Sequence, residues 1–232
     1  MAKQLNPDVV LVGGGPVDAQ QLAFWRDKGQ LVAVDGGINC LMDKGCAPVS
    51  VIGDMDSADP DHIATCRAAG IKITPVADQN STDLEKALHA YPDGLIVGLG
   101  FLDGRIDHSL AALNALVRAG GVGRVLLIGA HDAMIVSNTS LALSLPKAAR
   151  LSVWPIGQVS FASSTGLVWP LDGLNMQVGG QTGTSNKATG DDITIVPDIT
   201  DEGLYAILVE RGDWNALYDA LVSSKSEASG CG

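Results

Sequence analysis

Val9-Val10-Leu11-Val12 runs straight into Gly13-Gly14-Gly15-Pro16. Four consecutive apolar residues that stop at glycines read as a strand buried on both faces, because a half-exposed strand would alternate. The pattern recurs at Leu31–Val34, Val49–Ile52, Ile71–Ile73, Leu95–Val97 and Val125–Ile128. Between these runs lie helix-like segments: Ala19–Lys28, Asp61–Ala69, Asp83–Tyr91 and Ser109–Arg118. Alternation of this kind predicts an α/β domain with a parallel, Rossmann-like sheet in three layers. Thr82-Asp83-Leu84-Glu85 reads as a capping box, with Leu84, Ala87, Leu88 and Tyr91 on one face behind it. Asp107 is placed to cap the helix that opens at Ser109.

Beyond about Ser140 the rhythm changes. Arg150–Pro155, Val159–Ala162, Asp192–Val196 and Gly203–Leu208 read as strands, punctuated by Gly166, Gly173, Gly179-Gly180, Gly183 and Gly190. Short strands with glycine turns predict a C-terminal β-sandwich. The expected organisation is residues 1–140 as the α/β domain and 141–222 as the sandwich with a short final helix. Residues 223–232 are expected to form a disordered tail.

Composition narrows the possible functions. The chain has 232 residues, 46% hydrophobic and 18% charged, which is a globular composition. Lys and Arg total 15 against 26 Asp and Glu, for a net charge of −11. So acidic a chain lacks the basic face that nucleic acid requires. No apolar run approaches the roughly 18 residues of a membrane span. Met1–Pro7 has no secretory pattern, and Cys40, Cys46, Cys66 and Cys231 have no metal or disulfide spacing, so a cytoplasmic protein is expected.

In an open parallel sheet, ligands bind beyond the carboxyl ends of the strands. Each strand here ends in glycines, carboxylates or both. After the first comes Gly13-Gly14-Gly15, a turn that admits either a phosphate or a closely packed helix; it is neither GxGxxG nor a Walker motif. After the second comes Asp35-Gly36-Gly37, and after the third Gly53-Asp54-Met55-Asp56-Ser57. Carboxylates at i and i+2 in a tight turn repel unless a cation joins them, and hard oxygen ligands suit Mg²⁺. The competing role is for Asp56 or Asp59 to cap the helix that begins near Pro60. Asp78-Gln79-Asn80-Ser81-Thr82-Asp83 follows the fourth strand, and Asp103-Gly104-Arg105-Ile106-Asp107-His108 the fifth. Arg105 fits either an ion pair with Asp103 and Asp107 or a phosphate clamp held by them. His108 fits a capping or a catalytic role, and Trp169 a core position or a stacking surface.

Taken together, these motifs resemble the thiamine pyrophosphokinase family from about Val9 to Leu208. Thr165-Gly166-Leu167-Val168-Trp169 and Thr184-Ser185-Asn186 extend the resemblance into the second domain. It implies transfer of a pyrophosphoryl group from ATP to thiamine with Mg²⁺, in a homodimer. It implies catalytic roles for Asp54, Asp56, Asp78, Asp83 and Arg105. Asp54, Asp56 and Asn80 would hold metal, and Gly14, Asp35, Gly36, Asn80, Thr82, Asp107 and His108 would bind the nucleotide. Trp169, Ser185 and Asn186 would bind thiamine at the dimer interface. Asn80 stands where the family usually carries a carboxylate, which weakens that metal ligand. A related pyrophosphokinase acting on another hydroxymethyl heterocycle, such as a pterin, and a non-catalytic thiamine- or nucleotide-binding regulator are the alternatives.

Overall fold

A computed structural model describes residues 5–76, 80–198 and 203–229, with 225–229 described by their backbone alone. The chain divides into two compact units, Met1–Gly121 with Leu127–Ala130, and Val122–Leu126 with His131–Gly232. This division falls earlier than residue 140.

The first unit contains β1 (Val9–Val12), α1 (Ala19–Trp25), β2 (Gln30–Val34), α2 (Gly37–Asp43), β3 (Ser50–Gly53), α3 (Pro60–Ala68), β4 (Lys72–Pro75), α4 (Asp83–Ala90), β5 (Ile96–Leu99) and α5 (Ile106–Arg118). β6 (Val125–Ile128) straddles the division. The strands pair in parallel in the order β5-β1-β2-β3-β4. β1, β3 and β5 are buried along their whole length, so both faces of the sheet are covered, as the continuous apolar runs require. β4 departs from this: Lys72–Pro75 is only partly covered, which suits its place at the sheet edge.

Local chemistry sets the helix starts. Asp18 caps α1 by accepting from the Gln20 and Gln21 amides at 3.0 Å, and Asp59 caps α3 ahead of Pro60. Thr82 caps α4, its hydroxyl accepting from the Glu85 amide at 3.3 Å. α5 begins three residues sooner than expected. Arg105 stands at its cap without a side-chain hydrogen bond, and Asp107 lies within the first turn instead of capping it. An acid there still favours the helix dipole.

The second unit adds β7 (Asp132–Ser137), β8 (Leu141–Leu143), β9 (Arg150–Ile156), β10 (Gln158–Thr165), β11 (Asn175–Gln177), β12 (Gly183–Lys187), β13 (Ile193–Pro197), β14 (Leu204–Glu210) and α6 (Trp214–Ser229). Its strands pair antiparallel in two runs, β12-β9-β14-β7 and β11-β10-β13-β8. Phe161 of one sheet meets Tyr205 of the other edge to face at 5.3 Å, so the sandwich is packed between them. α6 buries Leu217, Tyr218 and Leu221 and contacts β7 and β8. It continues helically to Ser229, into the stretch expected to be disordered. Residues 230–232, with Cys231, lie outside the described residues. No helix among the described residues is long and apolar enough to cross a membrane.

Candidate active site

The chain leaves β1 toward β2 and returns on its other side as β5, so β1 and β5 flank the point where the strand order reverses. A cleft of about 570 Å³ opens there, lined by the Gly13–Gly15 turn, the Gly100–Arg105 loop and the start of α4. Ligands favour such switch points, and this volume lies in the range of small-molecule sites. The two loops are nested. A Cβ on Gly13 would lie 2.6 Å from the Phe101 ring, and one on Gly15 would lie 2.7 Å from the Gly100 carbonyl oxygen. Gly14 is different, since a Cβ there would meet nothing closer than 3.6 Å. Packing therefore explains Gly13 and Gly15 and leaves Gly14 as bare backbone facing the cleft.

Carboxylates gather at the ends of neighbouring strands. β2 and β3 pair with Val34 opposite Ile52, so the residues that follow them lie side by side. Asp35, Asp54 and Asp83 each offer an oxygen within 4.8 Å of the others. Asp35 takes a left-handed backbone at φ 45°, its amide tied to the Ile52 carbonyl at 2.8 Å. Its Oδ1 is buried and has no hydrogen-bond partner. A buried carboxylate oxygen without a donor is costly unless a ligand completes it. Three clustered carboxylates with one orphaned oxygen fit a hard divalent cation.

Lys86 is buried against this cluster with 3% of its side chain exposed. Its ammonium lies 2.9 Å from Asp83 Oδ1 and 3.6 Å from Asp54 Oδ2. Burial pushes the Asp83 carboxyl above its ordinary value; Lys86 opposes that shift, while the charges of Asp54 and Asp35 add to it. Burial also works against the Lys86 ammonium, yet Asp83 and Asp54 outweigh it and hold its pKa above normal.

The structure brings some of the expected residues together and sets others apart. Asp56 is exposed and outside the three-carboxylate group; its Oδ1 accepts from the Ser57 hydroxyl at 2.9 Å, while its amide donates to Asp54 Oδ1 at 3.3 Å. Met55, between them, has φ 69°, and the turn holds the two side chains in different surroundings. Gly14, Asp35, Gly36, Thr82, Asp83, Arg105 and His108 line the cleft. Asn80 is described, with its own interactions, but is not among the cleft-lining residues. Asp78 lies outside the described residues. Among the described residues Arg105 pairs only with Asp107, Nε to Oδ1 at 3.1 Å and Nη2 to Oδ2 at 2.5 Å. That pair holds the Asp107 carboxyl below its usual range and the guanidinium above its own. Asp103 instead accepts from the Ala130 amide.

Two contributors escaped the sequence reading. Lys86 is one. Asn39, on α2, is the other: its amide donates to the Ser57 carbonyl at 2.9 Å and its Oδ1 accepts from the Asp59 amide at 2.7 Å. It thereby fastens the turn that carries Asp54 to the helix that follows Asp35. A polar residue in the first turn of a helix gives no sequence signal for such a bond.

In the second unit a smaller cavity of about 240 Å³ is lined by Trp169, Leu171, Met176 and Asn186, among others. Trp169 is 56% exposed, so it is not a core residue. Asn186 is buried and spends its amide on backbone: Oδ1 accepts from the Trp169 and Lys187 amides, and Nδ2 donates to the Trp169 carbonyl at 2.6 Å. Its visible work is to fix Trp169. Ser185 is exposed in a left-handed conformation at φ 60°, and its amide donates to the Ser152 hydroxyl at 3.0 Å.

These features define the class: an α/β unit with a glycine-lined, acidic cleft at its switch point, joined to an antiparallel β-sandwich. A model of the thiamin pyrophosphokinase catalytic domain matches residues 22–124, and a model of the thiamin pyrophosphokinase vitamin B1 binding domain matches residues 142–202. The chain is 26% identical over 219 residues to thiamin pyrophosphokinase 1 of Caenorhabditis elegans, covering 82% of this chain and 88% of that one. It is 29% identical over 214 residues to thiamine pyrophosphokinase 1 of Arabidopsis thaliana, covering 75% and 77%. The solved thiamin pyrophosphokinase of Candida albicans has the same fold, with a TM-score of 0.75, 17% identity, and coverage of 88% of this chain and 89% of that one. The chain belongs to the thiamine pyrophosphokinase family.

Proposed function

We propose that this protein is a thiamine diphosphokinase that moves the terminal pyrophosphoryl group of ATP to the hydroxyl of thiamine. The thiamine oxygen bonds to the β-phosphorus, the bond from that phosphorus to the oxygen bridging the α-phosphorus breaks, AMP leaves, and the hydroxyl proton is lost. The carrying observation is the Asp35–Asp54–Asp83 cluster with its orphaned Asp35 oxygen, beside a glycine-lined cleft. Asp35, Asp54 and Asp83 would hold Mg²⁺. When bound there, the ion supplies positive charge to phosphate oxygens.

The chain's own groups do the rest. Bare backbone at Gly14 lets phosphates approach closely, and Arg105, braced by Asp107, offers a planar fork to a second phosphate oxygen. Little covalent help is needed, because phosphoryl transfer relies on positioning and charge. Trp169 presents an exposed ring suited to a cationic heterocycle such as thiamine. An aromatic ring left this open favours a site completed by a second copy of the chain, and we read the working form as a homodimer.

The test is to incubate the protein with ATP, Mg²⁺ and thiamine and to follow products by mass. Equal amounts of AMP and thiamine diphosphate are expected, with none when a hydroxymethyl pterin replaces thiamine. Thiamine binding without AMP would instead mark a regulator. For the dimer, chains carrying Trp169→Ala mixed with chains carrying Asp54→Asn should, at thiamine well below the raised KM, show more activity than the sum of the two alone. No recovery on mixing would leave thiamine bound within one chain.

A further inference from the structure

We propose that Lys86 is a built-in cation that restricts the Asp35–Asp54–Asp83 cluster to a single divalent metal ion. The inference rests on the phosphoryl-transfer reading above and concerns how that site is filled. Clustered carboxylates commonly bridge two metal ions about 3.5–4 Å apart. Here one of the bridging places is already taken. The Lys86 ammonium lies between Asp83 Oδ1 at 2.9 Å and Asp54 Oδ2 at 3.6 Å, as a second metal ion would.

Three features make it a fixture. Lys86 stands three residues after Asp83 on α4, so the helix itself sets the spacing. Its side chain is buried, so no solvated rotamer competes. An ammonium carries donors only, so it satisfies carboxylate oxygens without adding a ligand for metal.

The charge count agrees. Three carboxylates against one ammonium leave two negative charges, which one divalent ion cancels. A second ion would leave an excess of positive charge beside a buried ammonium. Among the described residues no ion pair involves Asp35, whose Oδ1 is the orphan, so Asp35 marks the side left for the ion.

The experiment is a Mn²⁺ titration of the nucleotide-free, full-length protein, read by electron paramagnetic resonance. The wild-type protein should bind one ion at the cluster, and Asp35→Asn should abolish it. Lys86→Met should admit a second ion or tighten the first by at least about tenfold, since a unit charge a few ångströms away is removed. Lys86→Arg should restore the single-ion behaviour. Two ions on the wild-type cluster, or an unchanged titration for Lys86→Met, would overturn the role of Lys86 alone. No ion bound by the wild-type protein, or one untouched by Asp35→Asn, would instead remove the cluster as a metal site and the inference with it. Should Lys86→Met not fold, Lys86→Gln carries the same reading, and the wild-type stoichiometry decides without either variant.

Discussion

The acidic cluster of the first unit and the Trp169 turn of the second treat their key side chains in opposite ways. Lys86 is almost wholly buried and its partners Asp54 and Asp83 are about one-quarter exposed, while Trp169 shows more than half its surface. At the cluster, side chains satisfy side chains, and what is missing is positive charge. At the turn, a buried Asn186 satisfies backbone, and what is missing is a surface against the ring. The difference separates two kinds of incompleteness. One invites an ion; the other invites a flat cationic ligand or a second chain.

Four changes break or sharpen this contrast. The largest effect should come from Asp54→Asn. Loss of charge at the cluster should lower turnover by about a thousandfold, near the upper range for removing one group that stabilises developing charge. Asp56→Asn should cost less, because that carboxylate is outside the group; steady-state assays at saturating Mg²⁺ compare the two. Next is the ion itself. Mg²⁺ at about a hundredfold above its Kd should stabilise the fold by about 2.7 kcal/mol, visible as a raised Tm that Asp35→Asn abolishes. Third, Asn186→Ala strands the Trp169 and Lys187 amides and the Trp169 carbonyl, and denaturant unfolding should show a loss of about 1–3 kcal/mol. The smallest is Trp169→Ala. It should raise the KM for thiamine about five- to thirtyfold, the equivalent of about 1–2 kcal/mol, with the KM for ATP and the Tm unchanged. A large drop in Tm would mean that the ring is structural after all.

The strands of the first unit were legible because each is buried on both faces and leaves an unbroken apolar run. α2 was not, since it opens at Gly36-Gly37, which reads as a turn. Glycine is needed at 37 for another reason: a Cβ would lie 1.9 Å from the Val12 carbonyl oxygen. The short strand β11 offers a single apolar residue, Met176, and β12 none. At the site, the sequence grouped Asp54 with Asp56 because they are neighbours along the chain. The structure groups Asp54 with Asp35 because β2 and β3 are neighbours in the sheet, and strand order is not written in any local motif. Lys86 was lost to helical periodicity. Leu84, Ala87 and Leu88 define an inner face that assigns Glu85 and Lys86 to solvent. Yet α4 is buried from Leu84 to Leu88, and its charges are absorbed by Arg118 on one side and by the aspartates on the other.

The position of β14 bears on how the molecule is made. It lies between β7 and β9, pairing with one from Tyr205 to Glu210 and with the other from Leu204 to Val209. As the chain leaves the ribosome, the neighbouring strands β1, β2, β3 and β4 appear in sheet order and can condense as they emerge. β7 and β9 must wait, without the strand that joins them, until β14 has been synthesised. During that interval they present open backbone to any extended peptide nearby, as β1 does on its other side until β5 is made. A nascent chain stalled before Leu204 would therefore carry a folded acidic cleft and a sticky, half-built sandwich, and would be a natural client for a chaperone.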